Sequence, residues 1–326
     1  MLIRSSNLNK PSLSKPMDWG QGDRGIWAGG GKDGTWTNNI DYISISVPAN
    51  SVQFGDSSRY GGAAGASGGG RGMIMGGHET NGYLVPGPKV KKMEYITIAT
   101  TSNAANFGEL KRVTSMAAAV SNGTRALICG GHASESGLAG GTTYSDIDYI
   151  TIATPGDATT FGQITSGKVD GSGSTYCIDG TGNGVYGMWK CDSGNKFDYI
   201  NISTPGNSLY FANLTGSGGV NGGVSNGSRA IWDNGSSNLE YFTWSTPATA
   251  IQFGKWVVIN GHDSSSMMGV DDGQYALYGA GHSYSSAVFK FSMNGTPTTA
   301  LITTDVCDLF QPGSINRYGT AAFAGD

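Results

Sequence analysis

Four histidines are the side chains of this sequence whose positions suggest chemistry. Three directly follow glycines, His78 and His132 in GGH and His282 in GAGH, and the fourth is His262. Imidazoles that converge on one rim of a fold could bind a metal ion or a polar ligand. No two of the four are close in sequence, so only the fold could bring them together. Two hypotheses stay open: one recognition face that holds all four, or separate, solvated loop residues.

Two short patterns are similar to parts of enzyme sites. The tetrapeptide at 33–36, DGTW, resembles the Asp box of sialidases, but it occurs once and no repeated set of arginines accompanies it. Galactose-oxidase-like enzymes need a copper site of Tyr, Cys and His, and we expect no C-terminal His-bearing domain here to complete one. We therefore predict a protein without catalytic residues, metal or cofactor.

Composition narrows the classes of function. The 326 residues carry a net charge of −4, so no basic surface for nucleic acid is expected. No apolar run approaches the ~20 residues of a membrane span. The many glycines (54) and few charged residues (13%) are typical of an all-β protein with tight turns. The cysteine spacing fits neither a zinc site nor a disulfide framework, so we expect four free thiols and folding in a reducing cytoplasm: Cys129, Cys177, Cys191 and Cys307.

The first residues differ from the rest of the sequence. Residues 1–17 contain Arg4, Lys10 and Lys15, two prolines and no acid. This composition predicts an extended basic arm, which we place at residues 1–19. It is either a frayed terminus or a strap that orders on another subunit.

A sequence motif that occurs five times predicts the structural elements that position the candidate site residues. Each copy begins with an acid and a tyrosine, and a phenylalanine follows the tyrosine by twelve residues. Successive tyrosines are 53, 54, 50 and 42 residues apart, so a unit of fixed length is joined by variable connectors. Such periods indicate a solenoid, an array or a propeller. The anchor pairs are Tyr42 and Phe54, Tyr95 and Phe107, Tyr149 and Phe161, Tyr199 and Phe211, and Tyr241 and Phe253.

Each unit is predicted to contain four strands, named A to D in chain order. Within the repeated motif, residues that alternate between two faces predict strand C, and the phenylalanine ends strand D. Small residues and an Asn-Gly turn predict strand A, because Asn-Gly supplies the positive φ that a two-residue hairpin demands. Apolar runs predict six B strands, which start at Arg24, Arg71, Arg125, Val185, Arg229 and Gln274.

The two ends of the sequence complement each other. The N-terminal unit lacks strand A, and the segment Arg317–Ala324 resembles a strand A without its own strand B. Pairing it with the strand that starts at Arg24 would close a ring of six units and remove its open edges. The last strand C is degenerate, with Lys290–Phe291 in place of the acid and tyrosine.

Together these features resemble the kelch repeat: an apolar run, Gly-Gly, a variable loop, a tyrosine beside an acid, and a later aromatic residue. Phe stands where kelch repeats usually have Trp, and units four and five lack the double glycine. The resemblance covers residues 20–326. It implies an all-β, six-bladed propeller of four-stranded antiparallel blades.

Propeller geometry would place charged pairs and long connectors on one face. Arginines that begin A strands would face acids that begin C strands of the same blade, either as a ligand-binding ring or, as we favour, as ion pairs within blades: Arg59 with Glu94, Arg112 with Asp148, and Arg317 with Asp41. The longest connectors, residues 78–92, 132–147 and 303–316, are where binding is expected. The possible recognition face therefore also includes Tyr83 and Lys89.

The consensus, approximately IDYITIAT…FG.L…SNGTRA…GG, also resembles a repeat of kelch-like virion proteins of tailed phages, notably marine and cyanobacterial ones. That resemblance implies a non-enzymatic tail fibre, appendage or capsid decoration in the virion, assembled in the host cytoplasm. Its partners would be other virion subunits and a host surface glycan or protein. The alternatives are a free-standing carbohydrate- or protein-binding kelch propeller and, third, a glycan-active enzyme.

Overall fold

The computed structural model describes most of the chain from residue 22 onwards. The described ranges are 22–32, 35–79, 90–133, 142–165, 178–190, 195–216, 222–234, 238–255, 268–279, 287–300, 303–309 and 320–325. These ranges form 28 strands, and no helix occurs among them. The predicted arm, with Arg4, Lys10 and Lys15, lies outside the described residues.

Six four-stranded antiparallel sheets form the blades of a β-propeller, as predicted. Their strands, in the order A, B, C and D, are as follows. Blade one has β28 (Ala321–Gly325), β1 (Arg24–Ala28), β4 (Asn39–Ser44) and β5 (Val52–Asp56). Blade two has β6 (Gly61–Gly68), β7 (Arg71–His78), β8 (Lys92–Thr97) and β9 (Ala105–Glu109). Blade three has β10 (Ala118–Ser121), β11 (Arg125–Cys129), β14 (Asp146–Thr151) and β15 (Thr159–Gln163).

The other three blades follow the same order. Blade four has β16 (Ile178–Gly182), β17 (Tyr186–Lys190), β18 (Lys196–Asn201) and β19 (Leu209–Asn213). Blade five has β20 (Gly223–Ser225), β21 (Arg229–Asp233), β22 (Asn238–Thr243) and β23 (Ile251–Lys255). Blade six has β24 (Met268–Asp271), β25 (Tyr275–Gly279), β26 (Ala287–Ser292) and β27 (Thr304–Asp308). Two hairpins extend the B–C loops of blades one and three: β2 (Gly31–Lys32) with β3 (Thr35–Trp36), and β12 (His132–Ala133) with β13 (Thr142–Thr143).

The C-terminal strand closes the ring. Strand β28 pairs antiparallel with β1, from Arg24 opposite Gly325 to Ala28 opposite Ala321. This confirms the predicted closure, because the last strand of the chain supplies the missing strand A of blade one. The predicted segment began at Arg317, and its residues 317–319 lie outside the described part of the chain.

Apolar side chains fasten each blade to the next. Six buried clusters each combine side chains of two successive blades, and the last joins blade six to blade one. The five anchor phenylalanines are only 1–4% exposed and lie in five of these clusters, so each is part of the core between two blades. The anchor tyrosine of each blade meets its phenylalanine edge-on, with ring centroids 5.3–6.0 Å apart.

A β-bulge aims each phenylalanine into its cluster. In blade three, Ile147 pairs with Gly162 and Asp148 with Thr160, so Phe161 between them has no partner on strand C. A register shift occurs at the equivalent position of every blade. A bulge bends its strand and redirects a side chain, and here it also interrupts the outer edge of each blade.

Small residues in strand A allow six blades to meet at the axis. A Cβ added to Gly65 would lie 2.6 Å from the carbonyl oxygen of Ala322 in the neighbouring blade. The A strands line a central cavity of about 60 Å³, with Ser67, Ser121 and Asp271 among its polar residues. Because small-molecule sites usually measure about 300 Å³ or more, this cavity suits water rather than a larger ligand.

Two details of the repeat differ from the sequence-based expectation. In blade six, Lys290 pairs with Leu277 as Tyr149 pairs with Leu127 in blade three, so Phe289–Lys290, not Lys290–Phe291, replaces the acid and tyrosine. In the Asn-Gly turns between strands A and B only the glycine has positive φ, as at Gly123 (82°). The preceding Asn122 instead accepts hydrogen bonds from the N–H groups of Thr124 and Arg125 through Oδ1, at 3.1 and 2.8 Å.

Candidate functional site at the junction of blades one to three

The double glycines that end strand B occur in blades one to three and set these blades apart. All six glycines have positive φ, between 66° and 105°: Gly29, Gly30, Gly76, Gly77, Gly130 and Gly131. They leave room for the next blade, since a Cβ at Gly76 would lie 2.5 Å from the Thr114 carbonyl oxygen. Only glycine combines this conformation with so close an approach.

Backbone hydrogen bonds run through these glycines from blade to blade. The N–H of Gly30 donates to the Tyr60 carbonyl (2.7 Å), and the N–H of Tyr60 donates to the His78 carbonyl (2.9 Å). The N–H of Gly77 donates to the Thr114 carbonyl at 2.9 Å. We call the residues on this path, together with Trp36, Arg59, Glu79, Arg112, Ser115, His132 and Tyr144, the blade junction. It lies where B–C loops and D–A connectors meet, which we call the connector face.

The two described histidines belong to this junction. His78 is 4% and His132 8% exposed, so neither fits the hypothesis of separate, solvated loop residues. The His78 ring meets the Trp36 ring edge-on, with centroids 5.9 Å apart. His132 exchanges backbone hydrogen bonds with Ser115 at 2.9 and 3.1 Å. The other proposed members of the recognition face, Tyr83, Lys89, His262 and His282, lie outside the described residues, and convergence of all four histidines stays a prediction.

Arg59 is the most unusual side chain of the junction. It is 1% exposed, and its Nη1 donates to Oε1 of Glu79 at 2.7 Å. Its Nε and Nη2 are buried and have no hydrogen-bond acceptor within the described part of the chain. A buried donor without an acceptor costs about 1–3 kcal/mol, and more for a charged group. A buried donor of this kind in a folded protein therefore requires an explanation, such as a bound ligand that supplies the acceptor.

Two further buried atoms without partners belong to blade three and to the connector that enters it. Oγ1 of buried Thr114 and Oδ1 of Asp148 have no hydrogen-bond partner among the described residues. Two residues beyond Thr114, Met116 has φ 53°, the only positive φ of a non-glycine residue in the described ranges. Backbone strain of this kind tends to accumulate at binding sites.

The predicted ion pairs are partly confirmed. Nη2 of Arg112 lies 3.2 Å from Oδ2 of Asp148 as predicted, and its Nη1 lies 2.9 Å from Oδ2 of Asp146. The predicted pair of Arg59 and Glu94 is wrong, because Ser58 donates to Glu94 through both its N–H (3.0 Å) and its hydroxyl (2.7 Å). Arg317, the predicted partner of Asp41, lies outside the described residues.

The acids that precede the anchor tyrosines in the C strands share a structural role. Asp198 accepts from the hydroxyl of Ser208 at 2.5 Å, and Glu240 accepts from the N–H of Thr215 at 2.8 Å. In blades two, three and five, the acid binds a residue of the connector that enters its own blade. Burial raises the pKa of Asp148, although Arg112 and Lys111 oppose the shift. The sequence predicted the partner of Asp148 but not those of Glu94 and Glu240.

Arginines that open strand B also join blades, a role that the sequence pattern did not reveal. Each lies over the anchor tyrosine of its own blade at 4.5–5.1 Å and donates to a carbonyl of the next blade: Arg24, Arg71, Arg125 and Arg229. The guanidinium thus combines a cation–π contact with an inter-blade hydrogen bond. The recurrence of arginine at the start of strand B is the sequence feature from which this role could have been predicted.

The described cysteines do not contribute a reactive group. Cys129 and Cys307 are free and buried, as expected, whereas Cys177 and Cys191 lie outside the described residues. Burial raises the pKa of Cys129, and it raises that of Cys307 to about 11. Because the thiolate is the nucleophile, both are poor candidates for chemistry near neutral pH.

Comparisons with known proteins do not assign a function to this chain, so the functional inference rests on the geometry of the structure. Neither a protein-family model nor a curated protein matches this chain. Within the described ranges, no three His, Cys, Asp or Glu side chains are grouped so that they could hold a metal ion. The same ranges contain no helix long and apolar enough to cross a membrane.

Proposed function

We propose that this protein is a non-enzymatic structural and adhesive component of a phage particle, with kelch-like repeats. The observation that carries the proposal is the use of its repeated charged residues. The arginine of strand B and the acid of strand C hold blades and connectors together, as Arg71 does with the Ile152 carbonyl and Glu94 with Ser58. Side chains used in this way build a rigid scaffold, and recognition is left to its loops.

The closed ring supports the same role. Pairing of β28 with β1 gives blade one its fourth strand, and apolar clusters join every pair of neighbouring blades. A module fastened around its whole circumference suits a particle component that must survive outside the cell. The basic arm at residues 1–17 would attach the module to other virion subunits, and a propeller face would meet a host surface glycan or protein. The repeat resemblance to phage virion proteins gives the context.

Particle composition tests this proposal. Phage particles from the source virus are purified on a density gradient, and proteolytic peptides are identified by mass spectrometry before and after a high-salt wash. We expect peptides of this chain in washed particles, and cross-links from Lys10 or Lys15 to another virion protein. A chain found only in the soluble lysate, with no particle-bound fraction, contradicts the proposal.

A free-standing carbohydrate- or protein-binding propeller is the second candidate. The blade junction favours it, because half-buried aromatic rings lie there beside arginines, as Arg112 over the Tyr144 ring at 4.8 Å. Aromatic rings and planar guanidinium groups are common at binding surfaces. An isolated protein that binds a glycan but is absent from particles supports this second candidate over the first.

A further inference from the structure

We propose that Arg59 is the binding position for the carboxylate of an acidic saccharide, and that Glu79 occupies Arg59 until such a ligand replaces it. The inference deepens the adhesive role proposed above, on which it rests, by naming the class of surface ligand. The Arg59–Glu79 pair lies at the connector face, between the start of strand A and the end of strand B of blade two.

The end of the guanidinium that Glu79 contacts selects the group that it binds. Without Glu79, Nη1 and Nη2 would present two N–H bonds side by side, because Nη1 donates to Glu79 and Nη2 has no acceptor among the described residues. A carboxylate accepts such a pair through its two oxygens, which is the strongest common geometry for arginine. Lysine has no equivalent edge, because its ammonium is a point charge.

Glu79 has the properties of an exchangeable occupant. It makes a single 2.7 Å contact, to Nη1, and its side chain is 42% exposed while that of Arg59 is 1% exposed. Rotation of Glu79 into solvent would therefore uncover the arginine. Exchange of one carboxylate for another keeps the buried charge balanced, and a bidentate ligand replaces one charge-assisted hydrogen bond with two.

The surroundings favour a saccharide over other carboxylates. Tyr60, next to Arg59 in the chain, and Trp36, whose ring meets that of His78 beside Glu79, are both half-buried. Their rings have apolar faces that suit the C–H faces of a sugar, and their polar atoms suit its hydroxyl groups. Met116, with its positive φ, lies in the connector that enters blade three and donates its N–H to the Gly62 carbonyl at 2.8 Å.

Calorimetric titration tests the site on the full-length protein. The probe is a trisaccharide of hexuronic acid, and its controls are the neutral trisaccharide of the same linkage and an acidic peptide of equal charge. We expect Glu79→Gln to bind the uronic trisaccharide roughly tenfold more tightly than wild type, because the internal competitor has lost its charge. Arg59→Lys should bind it at least about tenfold more weakly, because the bidentate edge is gone.

Each outcome of this experiment bears on the proposal. Weaker binding by Glu79→Gln would make Glu79 a ligand contact and overturn the exchange. No binding by wild type or Glu79→Gln, or equal binding by Arg59→Lys, would overturn the site. Equal binding of the peptide or the neutral sugar would overturn the ligand class. Circular dichroism melting shows that each variant is folded, and Glu79→Gln, which alters an exposed residue, keeps the test valid if Arg59→Lys does not fold.

The particle experiment separates this inference from the proposed function. If the chain is absent from particles but binds the uronic trisaccharide through Arg59, the site stands and the virion role fails. If the chain is a particle component that does not bind the trisaccharide, the virion role stands and the site fails.

Discussion

In blade six the cation and the tyrosine of the repeat have exchanged positions: the pair is Tyr275 on strand B and Lys290 on strand C. Lys290 stands at the position of the anchor tyrosine and Tyr275 at the position of the strand-B arginine. Nζ of Lys290 nevertheless lies 4.4 Å from the centroid of the Tyr275 ring. It also donates to the carbonyls of Ile45 and Ser46 in blade one, at 2.6 and 3.1 Å. The exchanged pair thus makes both contacts that the consensus pair makes.

A double exchange at this pair should therefore be tolerated better than either single change. Tyr275→Arg leaves two cations together, and Lys290→Tyr removes the only cation of the pair. Each should lower the free energy of unfolding by about 1–2 kcal/mol, whereas the double variant should recover most of that loss. Urea unfolding of the four proteins measures the coupling. Additive single effects would show that the two side chains do not act as a pair.

Phe107 should contribute as an inter-blade anchor. Its ring is 2% exposed in the cluster that joins blades two and three. Phe107→Ala should lower the free energy of unfolding by ~3–5 kcal/mol, the usual effect of removing a buried phenyl ring. Tyr210→Ala, at a 50% exposed position of strand D in blade four, is the matched control and should change it by less than about 0.5 kcal/mol. Similar losses in the two variants would contradict the anchor role.

Removal of residues 315–326 should open the ring. The deletion takes away β28, so β1 loses its partner on one side and Phe323 leaves the cluster between blades one and two. An open apolar strand edge promotes association. Light scattering after size-exclusion chromatography should show aggregates at concentrations where the intact protein gives one peak. A truncated protein that elutes and melts like the intact one would show that closure is dispensable.

The pH dependence of stability should reveal Asp148. Burial holds its folded-state pKa above the unfolded value of 3.8, although Arg112 opposes the shift. The folded protein therefore keeps this proton to higher pH than the unfolded chain, and the group loses stabilising effect as pH rises from 3.8 through the raised pKa. Asp148→Asn lacks this dependence, so its stability relative to wild type should increase across that window.

Urea unfolding at a series of pH values measures the difference between Asp148→Asn and wild type. The exposed Asp157 in a C–D turn provides the control substitution Asp157→Asn. A difference that stays constant with pH for Asp148→Asn would place its folded-state pKa at the unfolded value.

The sequence predicted the propeller well because its signals are local and repeated. Twelve residues between tyrosine and phenylalanine, and turns such as Asn122-Gly123, fix the strands before any long-range contact is known. Closure was equally accessible, because the last segment has the pattern of a strand A. The register of blade six was harder to predict. Phe289 stands in place of the acid and Lys290 in place of the tyrosine, so the sequence match to the repeat was placed one residue too late.

The candidate site was harder to predict because it depends on contacts between distant segments. Arg59 pairs with Glu79 rather than with Glu94, because both carboxylate oxygens of Glu94 accept hydrogen bonds from Ser58. The burial of His78 depends on Trp36 in another blade. The available sequence signal was the restriction of Gly-Gly to the first three blades. That signal marks where blades approach closely, not which polar atoms lack partners.

The basic arm should be required for assembly but not for folding. Residues 1–17 precede the first described strand, β1, and carry Arg4, Lys10 and Lys15 without an acid, so charge attraction to an acidic surface of another subunit would order them. Deletion of residues 2–17 should leave the thermal melting of the propeller unchanged and abolish incorporation into particles, measured by immunoblot of gradient-purified phage. A triple alanine variant at the three basic residues keeps the length of the arm and tests its charge alone. Normal incorporation of the deletion variant would assign attachment to a propeller face instead, and normal incorporation of the alanine variant alone would assign it to the apolar residues of the arm.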